Sequence, residues 1–475
     1  MNDILKGRVQ ALANVEPGTR LTRIAQGRIY RLLEASECLL IDSYNHSVSG
    51  SLPAIAPCDG TGGYLELGPA LYWLNNPPEN EIGEIISAIV AFLNVIEAQP
   101  LPASRLTRAD YARIKEQATR GPGIVAPDGT IYGESQYEQL DDRWLLAFFY
   151  FLYYERYPDK RHPFGASPKT FPFNGDSLTI AIVGDWGTGR YGPDGGPAID
   201  VLAGMQQLRP APDVIVHLGD VYYAGTEGFD HVLSEEWGNF VELWPATWGT
   251  GTGKSFTLNS NHEMYDGANG YFGVALRDGA PFAHQKQTSY FALTYRDWTI
   301  LGLDSAYCAS PLEMFMVGSI GGKNGEQYGW IRNNFHQLAG RNVIVLTHHN
   351  PVDYTGRTLI DPLWSTVCEA VGGAGPAYWY WGHIHNAIVY ASNPAIDQGV
   401  GTKIRCVGHG AIPFGDAWGL QGVGGIDYYA HTPIPNSIRM RNGFATLTLR
   451  RSGSITERFY ETTGTPGQPT IAWSK

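Results

Sequence analysis

At 475 residues the chain is longer than one hydrophobic core ordinarily supports, so two domains are expected. Hydrophobic residues make up 43% and charged residues 17%, a globular composition that excludes wholesale disorder. A net charge of −12, from 34 basic and 46 acidic residues, excludes a broad cationic surface for nucleic acid; a small phosphorylated substrate held through metal ions stays compatible.

Residues 1–172 read as a mainly helical N-terminal region whose chemistry the sequence leaves open. Residues 1–14 lack the positive-then-apolar pattern of a leader. Ile85, Ile86, Ile89, Val90, Leu93 and Ile96 have helical spacing across residues 82–97, behind the breaker Pro77-Pro78. Thr107 with Asp110 resembles a capping box that opens a second helix. Residues 143–157 form a third, apolar nearly all round. It reads as a buried core helix in preference to a groove for a lipid or aromatic ligand, and its apolar run is too short to span a bilayer. His162, Pro163, Pro168 and Pro172 then mark a linker. The five cysteines (Cys38, Cys58, Cys308, Cys368, Cys406) are scattered, with no C-x-x-C pair. That is no disulfide framework and no zinc knuckle, and it favours a soluble protein in a reducing, cytoplasmic compartment.

From residue 178 strands alternate with helices. The apolar run 179–183 ends at Gly184-Asp185-Trp186-Gly187, and Ile199, Leu202, Met205 and Leu208 then mark one face of a helix. The run 214–216 leads into His217-Leu218-Gly219-Asp220-Val221-Tyr222-Tyr223. Phe229, Leu233, Trp237, Phe240 and Trp244 sketch another helix, and residues 255–258 lead to Asn261-His262-Glu263. Residues 298–303 end at Asp304, and residues 327–338 are helical. Residues 343–346 end at Thr347-His348-His349-Asn350, and residues 377–381 at Gly382-His383-Ile384-His385. Residues 444–449 and 455–460 flank Arg451-Ser452-Gly453-Ser454, a hairpin signal. The glycine-rich stretch 187–196 contains no Gly-Lys-Ser. Gly253-Lys254-Ser255 has Trp248 where a phosphate loop needs its first glycine, and it enters a strand instead of a helix, so neither is such a loop.

Five apolar runs thus each end in a potential metal ligand: Asp185, Asp220, Asn261, His348 and the pair His383/His385. Singly, each has an ordinary explanation, a helix-capping aspartate or a core histidine. Jointly, at the carboxyl ends of strands where open α/β sheets place their ligands, they suit a mixed oxygen and nitrogen site for iron, zinc or manganese. A shared carboxylate permits two metals about 3.5–4 Å apart, the arrangement used for in-line displacement at phosphorus.

The five motifs, in this order, resemble those of the calcineurin-like metallophosphoesterases, and most closely the purple acid phosphatases, over residues 178–462. The resemblance implies an α/β (α+β) β-sandwich flanked by helices over residues 173–475. In most of the family the first motif is Asp-x-His; here Gly187 stands at the histidine. Tyr223 stands at the position of the purple acid phosphatase tyrosinate and would fill that gap, against the plainer reading of a packed aromatic. A phenol with a pKa of about 10 ionises at neutral pH only beside a strong Lewis acid.

Residue by residue, the resemblance implies a first metal, Fe(III), on Asp185, Asp220, Tyr223 and His385. It implies a second, Fe(II), Zn(II) or Mn(II), on Asp220, Asn261, His348 and His383, with Asp220 bridging. His262 matches a histidine that stabilises developing charge or protonates the leaving alkoxide, or that merely orients a neighbour. The implied activity is hydrolysis of phosphate monoesters. The alternatives are diester hydrolysis of nucleotides or phospholipids on the same site, and a scaffold or binding protein without turnover. Substrate selection is expected in the loop 307–324 and in the N-terminal region, which could be a lid or interaction module. Ser260 replaces the usual glycine before the Asn-His pair. His217 reads as core, His349 and Asp304 receive no ligand role, and for His409 a core role is favoured over the phosphate pocket.

Overall fold

The computed structural model describes residue 87 and residues 123–475, except 134, 140, 142, 193–194, 229–233, 248–252, 374, 392–400 and 464–467. The chain divides into two compact units, Met1–Arg161 and His162–Lys475. In the first, β1 (Ile124–Val125) and β2 (Ile131–Tyr132) pair antiparallel, and α1 (Trp144–Arg156) follows. Asp141 organises the entry to this helix by accepting the main-chain N–H groups of Tyr137 and Arg143. Trp144, Phe148, Phe149, Phe151, Leu152 and Tyr154 are all buried, so α1 has the all-round burial its composition predicts. Apart from Ser87, which is helical, the helix expected over residues 82–97 lies outside the described residues, as do the one expected at Thr107 and Cys38 and Cys58. Cys308, Cys368 and Cys406 are free thiols.

The second unit opens with β3 (Thr170–Phe173), β4 (Ser177–Val183), α2 (Pro197–Gln207), β5 (Val214–His217), β6 (Lys254–Thr257) and α3 (Asn261–Tyr265). β7 (Phe291–Tyr295), β8 (Trp298–Gly302), α4 (Glu326–Phe335), β9 (Val343–Thr347), α5 (Leu363–Ala370) and β10 (Tyr378–Trp381) come next. β11 (Ala387–Tyr390), β12 (Lys403–Val407), β13 (Ile426–Tyr429), β14 (Gly443–Arg450), β15 (Ile455–Thr462) and β16 (Pro469–Ser474) complete it.

Among the described residues these strands form two mixed sheets. One has eight strands in the order β13-β11-β12-β10-β9-β8-β7-β3, the other six in the order β16-β15-β14-β4-β5-β6. β4, β5 and β6 run parallel in the smaller sheet, as do β8, β9, β10 and β12 in the larger. The sheets pack face to face. Ile180, Ile182, Val214, Val216 and Phe256 of one share a core with Leu293, Ile300, Ile344, Leu346 and Tyr380 of the other. Ile331 of α4 and Leu363 and Val367 of α5 cover the outer face of the larger sheet over Val343, Val345 and Trp379. Strands covered on both faces need no polar side, which is why β5, β9 and β10 are buried at every residue.

A buried polar cluster crosses this core. Arg405 of β12 donates to Glu457 of β15 from Nε at 2.8 Å and Nη2 at 3.0 Å, and the Tyr380 hydroxyl donates to Glu457 Oε1 at 2.6 Å. A buried carboxylate with these three donors ties the two sheets at one register.

The sandwich with flanking helices is the architecture the sequence predicts. The stretch expected as linker belongs to the second unit, and its end forms β3 at the edge of the larger sheet. Pro172 lies there, where a missing N–H costs no ladder bond. Of the helix expected from Phe229 to Trp244, residues 229–233 lie outside the described residues; a helical turn, Trp237–Val241, is present.

Candidate metal centre

The parallel strands of both sheets end at one place. Asp185 follows β4, Asp220 follows β5, Asn261 opens α3 beyond β6, His348 follows β9, and His383 and His385 follow β10. Main-chain bonds stitch these ends together: Asp185 N–H to Gly219 C=O, Gly187 N–H to Asp220 C=O and Gly382 N–H to His348 C=O. Asp185, Asp220 and His383 have φ of 57°, 77° and 66°, a region that costs a residue with a Cβ free energy and that gathers at functional sites. Two glycines make the approach possible. A Cβ on Gly219, whose φ is +104°, would lie 2.8 Å from Ser260 Cβ and 3.0 Å from His348 Nδ1; one on Gly382 would lie 2.5 Å from Asp185 Oδ2.

Asp185, Asp220 and His385 bring ligand atoms within 4.8 Å of one another. A phenol stands among them: the Tyr222 hydroxyl donates to Asp220 Oδ2 at 2.8 Å, lies 3.3 Å from Asp185 Oδ1 and 3.2 Å from His385 Nε2. Burial, and then the charge of Asp220, push the Asp185 carboxyl well above the carboxylate range. Burial acts in the same sense on Asp220, but His348, His262 and His383 face it and hold it below that range. Two adjacent buried carboxylates in this state call for a cation or a shared proton.

Beside them lies His348. Its Nδ1 donates to the Leu218 carbonyl at 3.0 Å, so in the neutral ring Nε2 carries a lone pair. That lone pair faces Asn261 Oδ1 at 2.9 Å and Asp220 Oδ1 at 3.2 Å, both acceptors, with His383 Nδ1 at 3.2 Å. Protonation would satisfy the oxygens, yet burial pulls the His348 pKa down to about 3. Acceptors converging on a neutral imidazole lone pair fit a divalent or trivalent cation. The Asn261 amide is turned for this purpose, its Nδ2 lying 3.3 Å from both Met316 Sδ and Tyr265 Oη.

Each predicted residue has a defined place. Asp185, Asp220, Asn261, His348, His383 and His385 come together. Of the tyrosine pair, Tyr222 brings its hydroxyl to the carboxylates, because consecutive side chains leave the chain in divergent directions. Tyr223 is buried and enters through its main chain: its N–H donates to Glu235 Oε1 at 2.6 Å and its carbonyl accepts from His262 Nδ1 at 2.7 Å. His262 is fully buried, packs against the Tyr222 ring and has Nε2 4.0 Å from Asp220 Oδ2. Gly187 cannot hold the histidine of the usual motif without displacing backbone, since a Cβ there would meet Asp220 O at 2.5 Å.

His349 lies close enough to His348 and His383 to be counted a ligand. Its ring nitrogens are engaged elsewhere: Nε2 donates to Phe315 C=O at 2.7 Å and Nδ1 accepts from Ser305 Oγ at 2.9 Å. It therefore anchors the loop that carries Met316. Asp304 supports the turn behind it, accepting from the N–H groups of Ala306 and Tyr307. His217 is core, packed on Trp186, Phe240 and Trp244 with Nδ1 3.1 Å from Thr257 Oγ1, and burial lowers its pKa to about 3. His409 is also core, stacked on Phe459 and 3.3 Å from Tyr460 O, with its pKa lowered by burial to about 4. Sequence reasoning missed Tyr222, Glu235 and Met316. Tyr222 carried a signal by lying in the Gly219–Tyr223 motif, and Met316 by lying in the loop expected to shape substrate choice; Glu235 carried none.

The two-sheet fold and its cluster of candidate metal ligands are consistent with a metallophosphoesterase. Residues 178–387 match the family model described as calcineurin-like phosphoesterase, which supports that superfamily for the second unit. Its members are generally metal-dependent phosphoester hydrolases. No curated protein matches the chain. Among solved structures, one described as "GAP50 the anchor in the inner membrane complex of Plasmodium" is similar at 13% identity, over 63% of this chain and 88% of that one. Its TM-score is 0.44. Among the described residues no helix is long and apolar enough to cross a membrane.

Proposed function

We propose that the chain hydrolyses phosphate monoesters at a dinuclear metal site of the purple acid phosphatase kind. The observation that carries this reading is the neutral His348 lone pair directed at the oxygens of Asn261 and Asp220, beside a second cluster sharing Asp220. The first metal would be held by Asp185, Asp220, His385 and a tyrosine; the second by Asp220, Asn261, His348 and His383. The hydroxyl contacts support Tyr222 as that tyrosine, in place of Tyr223. A phenolate favours Fe(III) at the first position, with Fe(II), Zn(II) or Mn(II) at the second.

Bound there, two cations would lower the pKa of a water and withdraw charge from the phosphoryl oxygens. The residues of the chain supply the rest. Asp220 would be shared by the two positions. His383 is held by its main-chain N–H, which donates to Asp185 Oδ2 at 2.9 Å. His262, with Nδ1 committed to the Tyr223 carbonyl, has Nε2 to hold or deliver a proton at the leaving oxygen. Among the ionisable ligands His383 and His385 are partly open, His385 with 22% of its side chain exposed, so substrate would approach from their side.

The test is metal analysis of the purified protein together with hydrolysis of p-nitrophenyl phosphate and bis(p-nitrophenyl) phosphate. Chelation should abolish turnover and metal addition restore it, with the monoester preferred. A preference for the diester would move the assignment to a phosphodiesterase on the same site. Full metal loading with neither ester turned over would favour the scaffold alternative.

A further inference from the structure

The peptide between Tyr223 and Ala224 stands between two side chains. On one side His262 Nδ1 donates to its carbonyl at 2.7 Å. On the other, the Ala224 N–H donates to Glu235 Oε2 at 2.9 Å. The same carboxylate accepts from Tyr223 N–H through Oε1 at 2.6 Å and from Thr226 N–H through Oε2 at 3.3 Å. The clasp is reciprocal, because Glu235 N–H donates to Thr226 Oγ1 at 3.1 Å and Ser234 Oγ donates to the Thr226 carbonyl at 3.1 Å.

We infer that Glu235 is a positioning residue for His262, acting through the 223–224 peptide. A carboxylate accepting an amide N–H polarises that amide and strengthens its carbonyl as an acceptor, since chained hydrogen bonds reinforce one another. The strengthened carbonyl keeps the proton on Nδ1 and turns Nε2 toward Asp220. An aspartate that bonds directly to a catalytic histidine does the same work; here one peptide unit separates carboxylate and imidazole. Burial raises the Glu235 carboxyl, and the Ala224, Tyr223 and Thr226 N–H groups and then the charge of His262 pull it back, as expected of a carboxylate that accepts these bonds.

This inference rests on the proposed role of His262, so its test reads the ring as well as turnover. Glu235→Gln is the informative variant. A carboxamide accepts on one oxygen only, so its NH2 must face either Tyr223 N–H or the Ala224 and Thr226 pair. In full-length, zinc-loaded protein labelled with 15N-histidine, the wild-type His262 ring, assigned by its loss in His262→Ala, should be the Nδ1–H form. Glu235→Gln should shift it toward mixed protonation and lower kcat about tenfold, with KM within twofold. Ser234→Ala loosens the same loop without touching the carboxylate and should leave both readouts at wild-type values.

An Nε2–H ring in the wild type overturns the inference, whether or not any variant folds. So do unchanged ring signals in Glu235→Gln, or equal changes in Ser234→Ala. If His262→Ala turns over normally, the catalytic role of His262 fails, while the ring signals still decide the role of Glu235.

Discussion

Which phenol oxygen reaches the carboxylates decides the chemistry of the first metal position. The Tyr222 hydroxyl bonds to Asp220 and lies against Asp185 and His385, while Tyr223 contributes its peptide to Glu235 and His262. Tyr222→Phe should therefore remove a broad phenolate-to-iron absorption band, whereas Tyr223→Phe should retain most of it. Visible spectra of the two iron-loaded variants check this, and the reverse pattern would return the role to Tyr223. Spacing pointed to the motif that holds both tyrosines; it says which residue follows the strand and not where its side chain points. Glu235 was illegible for another reason: its partners are amide N–H groups, which every sequence supplies.

At the scale of elements, the site depends on where strands stop. Central parallel strands are continuous apolar runs, so their ends, and the candidate ligands after them, are legible in the sequence. β3 with its proline and the exposed β16 carry no such run and were not seen. α3 is short and needs its cap: Ser260 Oγ accepts the His262 N–H at 3.1 Å and contacts Glu263. Ser260→Ala should cost about 1 kcal/mol in urea denaturation, the usual value of a lost N-cap, and weaken binding at the Asn261 position. Gly219→Ala should do more, because its Cβ would press on Ser260 and His348 at a φ of +104°. Metal titration should show the second position lost before the first.

For the molecule as a whole, the two sheets must hold register for the strand ends to meet. Glu457→Ala leaves Arg405 buried without its partner and should cost about 3–5 kcal/mol by chemical denaturation. Acid acts through buried histidines. His217 and His409, lowered to about 3 and about 4, are held neutral in the fold, while the unfolded chain protonates them near pH 6.5. Their contribution is complete above about pH 6.5 and is lost as pH falls through 4 toward 3. Urea midpoints between pH 7 and 4 should fall, and less steeply in His409→Gln.

The proposed chemistry needs Asp220 to be shared by two metal positions. Metal analysis of the purified wild type and of Asp220→Ala tests it most directly. Two metal ions per chain are expected in the wild type and at most one in the variant, with loss of phosphoesterase turnover. Two ions and normal turnover in Asp220→Ala would contradict it.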